Sequence, residues 1–203
     1  KILENDHPLG FNYELFLDEK GEKISKKKGN GMAVEEWLKY APSESLMLFM
    51  YYTPKKTKRL YFDVIPKHVD EYLRYLRQFE NQNDLEKLNN PLIHIHQSKI
   101  PKAEIDISFS LILNLVSACQ SDDKNIIWNY IKEYMPDIKP SDNPYTDQLV
   151  EFSIQYYKDF VEPNKKYKQP TDEEKKTLQE LVEFLKKCKP EITSEEIQSE
   201  IYE

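Results

Sequence analysis

The sequence predicts a mainly α-helical protein with a short β-hairpin and loop element near its start. All four glycines lie within the first 31 of its 203 residues, so the backbone freedom that tight turns require is concentrated there. Beyond residue 32, apolar residues recur at spacings of three and four, which is the period of one face of a helix. We therefore expect helices joined by Pro, Asn and Asp in the rest of the chain.

Strand is expected only near the start of the chain and around residue 60. Residues 13–17 are followed by a turn that contains Gly21, a pattern that predicts a strand entering a hairpin-like turn. Residues 60–65 are the second candidate strand. Within them, residues 63–66 are expected to form a short extended piece that leads into a helix.

Helices are expected in the other periodic stretches of the chain. Their expected spans are residues 34–40, 43–52, 67–81, 107–120, 122–134, 144–161, 171–188 and 193–202. Ser43 is the expected N-cap of the second helix, and Thr171 with Glu174 has the spacing of a capping box. Residues 82–103 lack a clear period and contain two prolines, which predicts a connector or domain boundary.

The composition is that of a soluble, charge-rich globular protein, with 39% hydrophobic and 32% charged residues. No apolar run approaches the roughly 18 residues that a membrane-spanning helix needs. The two cysteines belong to no CxxC pattern, which favours a reducing compartment and no structural zinc.

The net charge of −7 disfavours nucleic-acid binding by the surface as a whole. Basic residues nevertheless cluster locally at 20–28, 55–59 and 165–168, where RNA phosphates could bind.

The most informative stretch is residues 23–31, which combine the groups that polyphosphate binding requires. Their order is Lys-Ile-Ser-Lys-Lys-Lys-Gly-Asn-Gly. The clustered lysines supply compact positive charges on flexible side chains, and Ser25 supplies a hydroxyl that can bond to the loop's own backbone. Gly29 and Gly31 allow the main chain to turn tightly and to approach a ligand closely.

The order of these residues resembles the KMSKS loop of class I aminoacyl-tRNA synthetases in its extended form, Lys-Met-Ser-Lys-Ser-Lys-Gly-Asn. Ile24 stands in the position of the Met, and Lys27 replaces the second Ser, which is a departure from the motif. Flanking segments resemble the class I lysyl-tRNA synthetase family, namely residues 7–17, 36–41, 58–66 and 93–96. The likeness runs through most of the chain and is strongest over residues 7–76.

The resemblance implies that the chain is a piece of a longer enzyme. Residues 1–81 would form the end of the catalytic domain, with the loop and a region that contacts the tRNA stem. Residues 82–103 would be a connector, and residues 104–203 would form an incomplete helical, cage-like anticodon-binding domain. A first residue other than Met, and a last residue inside an amphipathic helical pattern, also favour a fragment.

The resemblance also implies a reaction. The whole enzyme, a lysine–tRNA ligase, would activate lysine with ATP and Mg to lysyl-adenylate and transfer the lysyl group to tRNA(Lys). Lys23 and Lys26 would be catalytic, because their ammonium groups would stabilise the charge that develops on the departing pyrophosphate. Ser25 would join them in binding the ATP phosphates and shaping the loop. The HIGH motif and the lysine pocket would lie outside these residues, so this piece alone is expected to be inactive.

The expected setting is that of a cytoplasmic monomer with tRNA(Lys), ATP and lysine as partners, no resident metal, no membrane and no DNA. Two alternatives remain open. One is another class I synthetase of the same subgroup, such as the glutamyl type, whose loop is typically Lys-Leu-Ser-Lys-Arg; residues 27–30 fit the lysine branch better. The other is a non-catalytic helical module that binds RNA or protein and has kept the loop.

Two further groups of residues are candidates for binding. His94 and His96 would point to opposite faces of an extended segment, so we reject a metal site and expect a structural or RNA-contacting pair, with the structural role favoured. The second group is basic, comprises Lys55, Lys56, Lys58 and Arg59, and has aromatic neighbours. Such a mixture can bind an RNA backbone and stack on bases, or it can be core aromatics beside solvated lysines. The resemblance favours RNA.

Overall fold

The structure, a computed structural model, describes residues 10, 12–97, 99–104, 106–188, 192–193 and 197–199. It is mainly helical, as predicted. The helices are α1 (Val34–Leu38), α2 (Ser43–Tyr51), α3 (Ile65–Asn81), α4 (Asp84–Asn89), α5 (Leu92–Ile95), α6 (Phe109–Cys119), α7 (Lys124–Tyr134), α8 (Pro144–Tyr156) and α9 (Asp172–Lys187). A single π-helical stretch, Tyr157–Val161, continues α8. The helix expected over residues 193–202 lies mostly outside the described residues.

Strand is limited, within the described residues, to β1 (Phe16–Leu17) and β2 (Lys58–Arg59). The two are parallel, with Phe16 opposite Lys58. The hairpin-like turn after β1 is present as predicted, because the N–H of Asp18 donates to the carbonyl of Glu22 over 2.9 Å and Leu17 forms an antiparallel bridge with Lys23. The second strand precedes the expected span of 60–65, so that expectation was wrong by a few residues.

Residues 63–66 are helical, which corrects the expected extended piece. A 3-10 turn covers Phe62–Val64, and α3 begins directly after it at Ile65. Pro66 lies in the first turn of α3, where a helix tolerates a residue without an N–H. The residue before a proline normally avoids helical angles, but Ile65 is completely buried. We infer that its packing outweighs this local preference.

Ser43 is the first residue of α2 and does not cap it, which corrects a second expectation. The N-cap is Pro42, without a side-chain cap. Ser45 Oγ instead donates to the carbonyl of Pro42 over 2.7 Å and accepts from Trp37 Nε1 over 3.0 Å. This buried chain of hydrogen bonds holds α1 against the start of α2.

The residues expected to form a connector, 82–103, contain α4 and α5. Asn83 and Glu86 form a capping box at the start of α4. Leu92 and Ile95 of α5 are buried in the same core as α3 and α6. Two short helices therefore occupy part of this segment, and α5 packs into the core. The meaning of the segment as a functional boundary stays a prediction.

The core of the first compact unit, which ends at Asn164, is built around one face of α3. That face carries Ile65, Val69, Tyr72, Leu73 and Leu76, all buried. Helices α2 and α6 pack against α3, and α7 and α8 pack against α6. The spacing of three and four residues that predicted the helix is the spacing of its buried side chains.

Two carboxylates from other elements cap helices in this unit. Asp70 of α3 accepts hydrogen bonds from the N–H of Phe109, over 2.6 Å, and from the N–H and hydroxyl of Ser110, at the start of α6. Glu104 accepts two N–H bonds, of 3.0 and 2.9 Å, from the first turn of α8. Because the first N–H groups of a helix have no partner inside it, these two side chains satisfy groups that would otherwise be orphaned.

The second compact unit begins at Lys165 and contains α9. The predicted capping box is confirmed there: Thr171 Oγ1 accepts from the N–H of Glu174, and the Glu174 carboxylate accepts from the N–H of Thr171. These hydrogen bonds, with the Thr171 backbone bond first, lower the pKa of Glu174. No residue of α9 is buried. Among the described residues no helix is both long and apolar enough to span a membrane.

Candidate functional site: the lysine loop

We call residues 23–31 the lysine loop. It starts where Lys23 bridges to β1, and the N–H of Ile24 donates to the carbonyl of Phe16 over 3.0 Å. The ring of Phe16 lies 6.1 Å from that of Phe49 in α2. After the loop, α1 is anchored by Trp37, whose ring is completely buried. Both ends of the loop are therefore attached to the core through aromatic side chains.

The middle of the loop is a tight turn organised by Ser25. The carbonyl of Ser25 accepts from the N–H groups of Lys28 and Gly29, each over 3.1 Å. Its hydroxyl accepts a longer bond of 3.3 Å from the N–H of Lys28. Gly29 has a φ of +63°, in the left-handed region that favours glycine. The inference that Ser25 ties the loop to its own backbone is therefore confirmed.

Asn30 connects the loop to the turn before it. Its Oδ1 accepts from the N–H of Ser25 over 3.0 Å, and its Nδ2 donates to Asp18 Oδ2 over 2.7 Å and to the carbonyl of Lys23 over 3.3 Å. Asp18 Oδ1 accepts in turn from the N–H of Glu22 over 2.8 Å. The bond from Asn30, followed by that from Glu22, lowers the pKa of the Asp18 carboxyl. Sequence reasoning did not assign a role to Asn30, although it stands in the Gly-Asn pair of the matched motif.

The four lysines of the loop are not equivalent. Lys28 Nζ lies 2.8 Å from Glu22 Oε2, and this partner raises the pKa of the Lys28 ammonium. Lys23, Lys26 and Lys27 are exposed and form no ion pair within the part of the chain that the structure describes. Among the described residues, these three ammonium groups have no carboxylate partner, and they lie on a backbone that is itself hydrogen bonded. Such a cluster attracts a polyanion.

Gly31 marks a close approach inside the loop. A Cβ at this position would lie 2.8 Å from Cγ2 of Ile24, closer than two carbon atoms normally approach. Ile24 occupies the place of the motif's Met, and its β-branched side chain has little freedom to move away. The loop therefore requires a residue without a side chain at position 31.

Lys58, expected among the RNA-binding residues, has a structural role. Its ammonium donates to the carbonyls of Phe49 and Tyr52 at the end of α2 and lies 5.1 Å from the centre of the Phe49 ring. Burial lowers the pKa of Lys58. The neighbouring Lys55 and Lys56 are exposed. Only the exposed members of the basic group remain candidates for contacting RNA.

His94 and His96 lie in α5 and in the turn after it, so the extended segment that the sequence suggested is not present, and the two side chains contact different partners. His94 belongs to α5 and stacks on Tyr51 at a ring distance of 5.1 Å. His96 Nε2 lies 3.1 Å from the hydroxyl of Tyr72, and burial lowers the pKa of His96. Within the described residues no cluster of three or more His, Cys, Asp or Glu is arranged to hold a metal ion.

Comparison with known proteins gives one consistent family. Residues 1–99 match the family described as tRNA synthetases class I (K). Over its whole length the chain is 47% identical to a lysine–tRNA ligase of Rickettsia bellii, 46% identical to one of Rickettsia rickettsii and 45% identical to one of Rickettsia felis. No solved structure shows a significant match. The resemblance predicted from the motifs is confirmed, and the matches do not favour the glutamyl-type or non-catalytic alternatives.

The chain spans only part of the length of the relatives that it matches. Each alignment includes 100% of this chain but only 39% of the relative. The lysine loop and the helices up to α5 lie in the part that the family description matches, whereas α6 to α9 are matched only by the individual relatives.

Proposed function

We propose that the chain is part of a lysine–tRNA ligase, because its residues 1–99 match the class I tRNA synthetase (K) family and its whole length aligns with lysine–tRNA ligases. The full-length protein would activate lysine with ATP and transfer the lysyl group to tRNA(Lys). The observation that carries this proposal is the lysine loop, in which three exposed ammonium groups lie on a hydrogen-bonded turn and have no carboxylate partner in the described part of the chain.

Lys23 and Lys26 are the proposed catalytic residues. When the carboxylate of lysine attacks the α-phosphorus of ATP, the bond to pyrophosphate breaks and negative charge grows on the departing group. Ammonium groups positioned beforehand stabilise that charge more in the transition state than in the ground state. In the KMSKS motif that this loop resembles, the first and second lysines carry this role, and the Lys28 ammonium has Glu22 as its partner. We therefore assign the phosphate contacts to Lys23 and Lys26 and the shape of the loop to Ser25.

Three finer features belong to the same proposal. Mg would accompany ATP as part of the substrate, because Mg²⁺ is usually bound through substrate phosphates together with one or two carboxylates. Exposed basic residues after α2, including Lys55 and Lys56, would contact tRNA phosphates. The enzyme would act as a cytoplasmic monomer, with residues 1–81 completing the catalytic domain, residues 82–103 as a connector and residues 104–203 contributing to anticodon binding.

Exchange of labelled pyrophosphate into ATP by the full-length protein tests this function. We expect exchange that depends on lysine and on Mg, and lysylation of tRNA(Lys) when tRNA is added. Glutamate in place of lysine is the matched control and should support no exchange. Exchange driven by glutamate, or no exchange with any amino acid from a folded full-length protein, would contradict the proposal.

A further inference from the structure

We propose that Asp18 and Asn30 act as a positioning pair that holds the lysine loop in the form that receives the ATP phosphates. The inference rests on the proposed function. Neither side chain is placed at the reacting atoms. The pair acts through the backbone that carries Lys23 and precedes Lys26, because the Asn30 amide bonds to Asp18, to the Lys23 carbonyl and to the Ser25 N–H.

Asn30 uses all three of its hydrogen bonds on different parts of the chain. Its carbonyl oxygen meets the N–H of Ser25, while its two amide hydrogens meet the carboxylate of Asp18 and the carbonyl of Lys23. A side-chain amide can do this because it offers an acceptor and two donors on one rigid plane. The three contacts join the end of the loop to its beginning and to the preceding turn.

These contacts lie at or next to the proposed catalytic residues. The bond at the Lys23 carbonyl fixes the backbone at the first lysine, and the bond at the Ser25 N–H fixes it one residue before Lys26. Asp18 is itself held by the N–H of Glu22, over 2.8 Å. The hydrogen bonds that hold the loop are therefore anchored in the hairpin turn, and they use no lysine side chain.

The bond between Asp18 and Asn30 is stronger than the other tie across the loop. It is a short N–H to carboxylate bond of 2.7 Å in a partly buried place, and bonds to an ionised partner are stronger than neutral ones. The ion pair of Lys28 with Glu22 is more than half exposed on both sides, and such pairs contribute little. If the loop is already held in place before ATP binds, less conformational entropy is lost when the transition state is reached.

Two variants with a compensating double variant test the pair in the full-length protein. Asn30→Ala and Asp18→Ala each remove the bond between the two side chains. The exchanged pair, Asp18→Asn with Asn30→Asp, restores an amide facing a carboxylate and keeps acceptors for the N–H groups of Ser25 and Glu22, but it lacks the donor to the Lys23 carbonyl. Asn89→Ala is the matched control, because the exposed Asn89 amide donates to the carbonyl of Leu85 in its own helix and, among the described residues, to no part of the lysine loop.

The first readout is the rate of trypsin cleavage after the loop lysines, which does not depend on any activity. We expect cleavage to rise on the order of tenfold in Asn30→Ala, because a protease acts on locally opened segments. The second readout is pyrophosphate exchange, where kcat should fall by about tenfold or more while KM for lysine stays unchanged. The exchanged pair should recover part of the lost protection from cleavage and part of the lost exchange rate, and Asn89→Ala should resemble wild type.

The pH dependence of Asn30→Asp gives a third readout that a general loss of folding would not produce. In this variant two carboxylates face each other, so one of them binds a proton more readily than a lone carboxyl does. The shared proton replaces the amide donor. Exchange by Asn30→Asp, relative to wild type, should therefore rise as the pH is lowered from 8 towards 6.

The outcomes separate this inference from the proposed function. If Asn30→Ala exchanges at the wild-type rate while Lys26→Ala is impaired, the positioning role is wrong and the proposed function stands. Faster cleavage without slower exchange would also overturn it, since the pair would then hold the loop without serving the reaction. If wild type shows no exchange with lysine, the proposed function fails, and the cleavage rates alone report whether the pair holds the loop.

Discussion

Two lysines that are three residues apart in sequence have different environments after α2. Lys55 is exposed, whereas Lys58 donates to the carbonyls of Phe49 and Tyr52. The last carbonyls of a helix have no partner inside it, and a cation near them is favourable. Lys58 therefore serves as a cap for α2, and the segment that leads into β2 is fastened by it.

Replacing Lys58 by alanine should destabilise the protein by about 1–2 kcal/mol, the cost of losing bonds to partly buried carbonyls. Lys55→Ala is the matched control and should change the unfolding free energy by less than about 0.5 kcal/mol, as is usual for an exposed site. Urea unfolding followed by tryptophan fluorescence measures both. Equal effects of the two variants would contradict the capping role.

His68 and His96 should make stability depend on pH just below neutrality. Burial lowers the pKa of both, although Glu71 opposes the shift at His68. The unfolded state, with a histidine pKa of about 6.5, then binds protons more readily than the folded state. Their contribution to stability is complete above that value and is lost as the pH falls below it.

The measurement is the urea midpoint of unfolding at pH values from 7.5 to 5.5. It should decrease over the lower part of this range, and the double variant His68→Gln with His96→Gln should show a smaller decrease. Carboxyl groups with lowered pKa, such as Asp18, titrate at lower pH and do not affect this window. A double variant with the wild-type slope would contradict this account.

At the scale of single elements, helix α6 depends on a carboxylate from another helix. Asp70 accepts the N–H of Phe109, and Phe109 is completely buried. Removing the carboxylate would leave an N–H group at a partly buried helix start without its partner. A buried donor left unpaired costs about 1–3 kcal/mol.

Asp70→Ala should therefore lower the unfolding free energy by about 2 kcal/mol, within the range for lost helix caps. Asp70→Asn keeps an acceptor oxygen and should lose less. Hydrogen exchange at the amides of Phe109 and Ser110 offers a local check, because both should exchange faster in Asp70→Ala. Unchanged exchange at these amides would show that the cap does not hold α6.

The same elements show which parts of the fold sequence patterns could predict. The helix over residues 67–81 was predicted because its buried face repeats at helical spacing, and the capping box at Thr171 was predicted because it is local. The helical start at Ile65 was missed, since it depends on burial that outweighs the effect of Pro66. The short helices α4 and α5 were missed because neither is long enough to display a period.

At the scale of the whole molecule, the order of the residues was enough to identify the lysine loop. It was not enough to predict the hydrogen bonds from Asn30 and Asp18 that hold the loop. The bond between Asp18 and Asn30 spans twelve positions, and no spacing rule connects an Asp in a turn with an Asn after a lysine cluster. The distinction between Lys58 and its neighbours likewise depends on where α2 ends in space. A functional motif formed by adjacent residues can be recognised in a sequence, whereas the contacts that distant residues make with it can be seen only in the folded structure.

The lysine loop lies in the first of the two compact units of the molecule. The loop, α1 and β2 belong to the compact unit that extends to Asn164 and shares one core. Tyr40, at the end of α1, donates to Asp159 in the π-helical stretch over 2.9 Å. The segment after the loop is therefore joined to the stretch that continues α8.

The central claim, that ammonium groups of the lysine loop stabilise the departing pyrophosphate, is tested most directly by pyrophosphate exchange with two neighbouring variants. In the full-length protein, Lys26→Ala should slow lysine-dependent exchange by roughly 10²-fold or more, the scale for losing a preorganised electrostatic donor, with KM for lysine nearly unchanged. Lys27→Ser, which restores the commoner motif, should exchange close to the wild-type rate. Exchange by Lys26→Ala at the wild-type rate, together with a crippled Lys27→Ser, would contradict the assignment of the catalytic lysine.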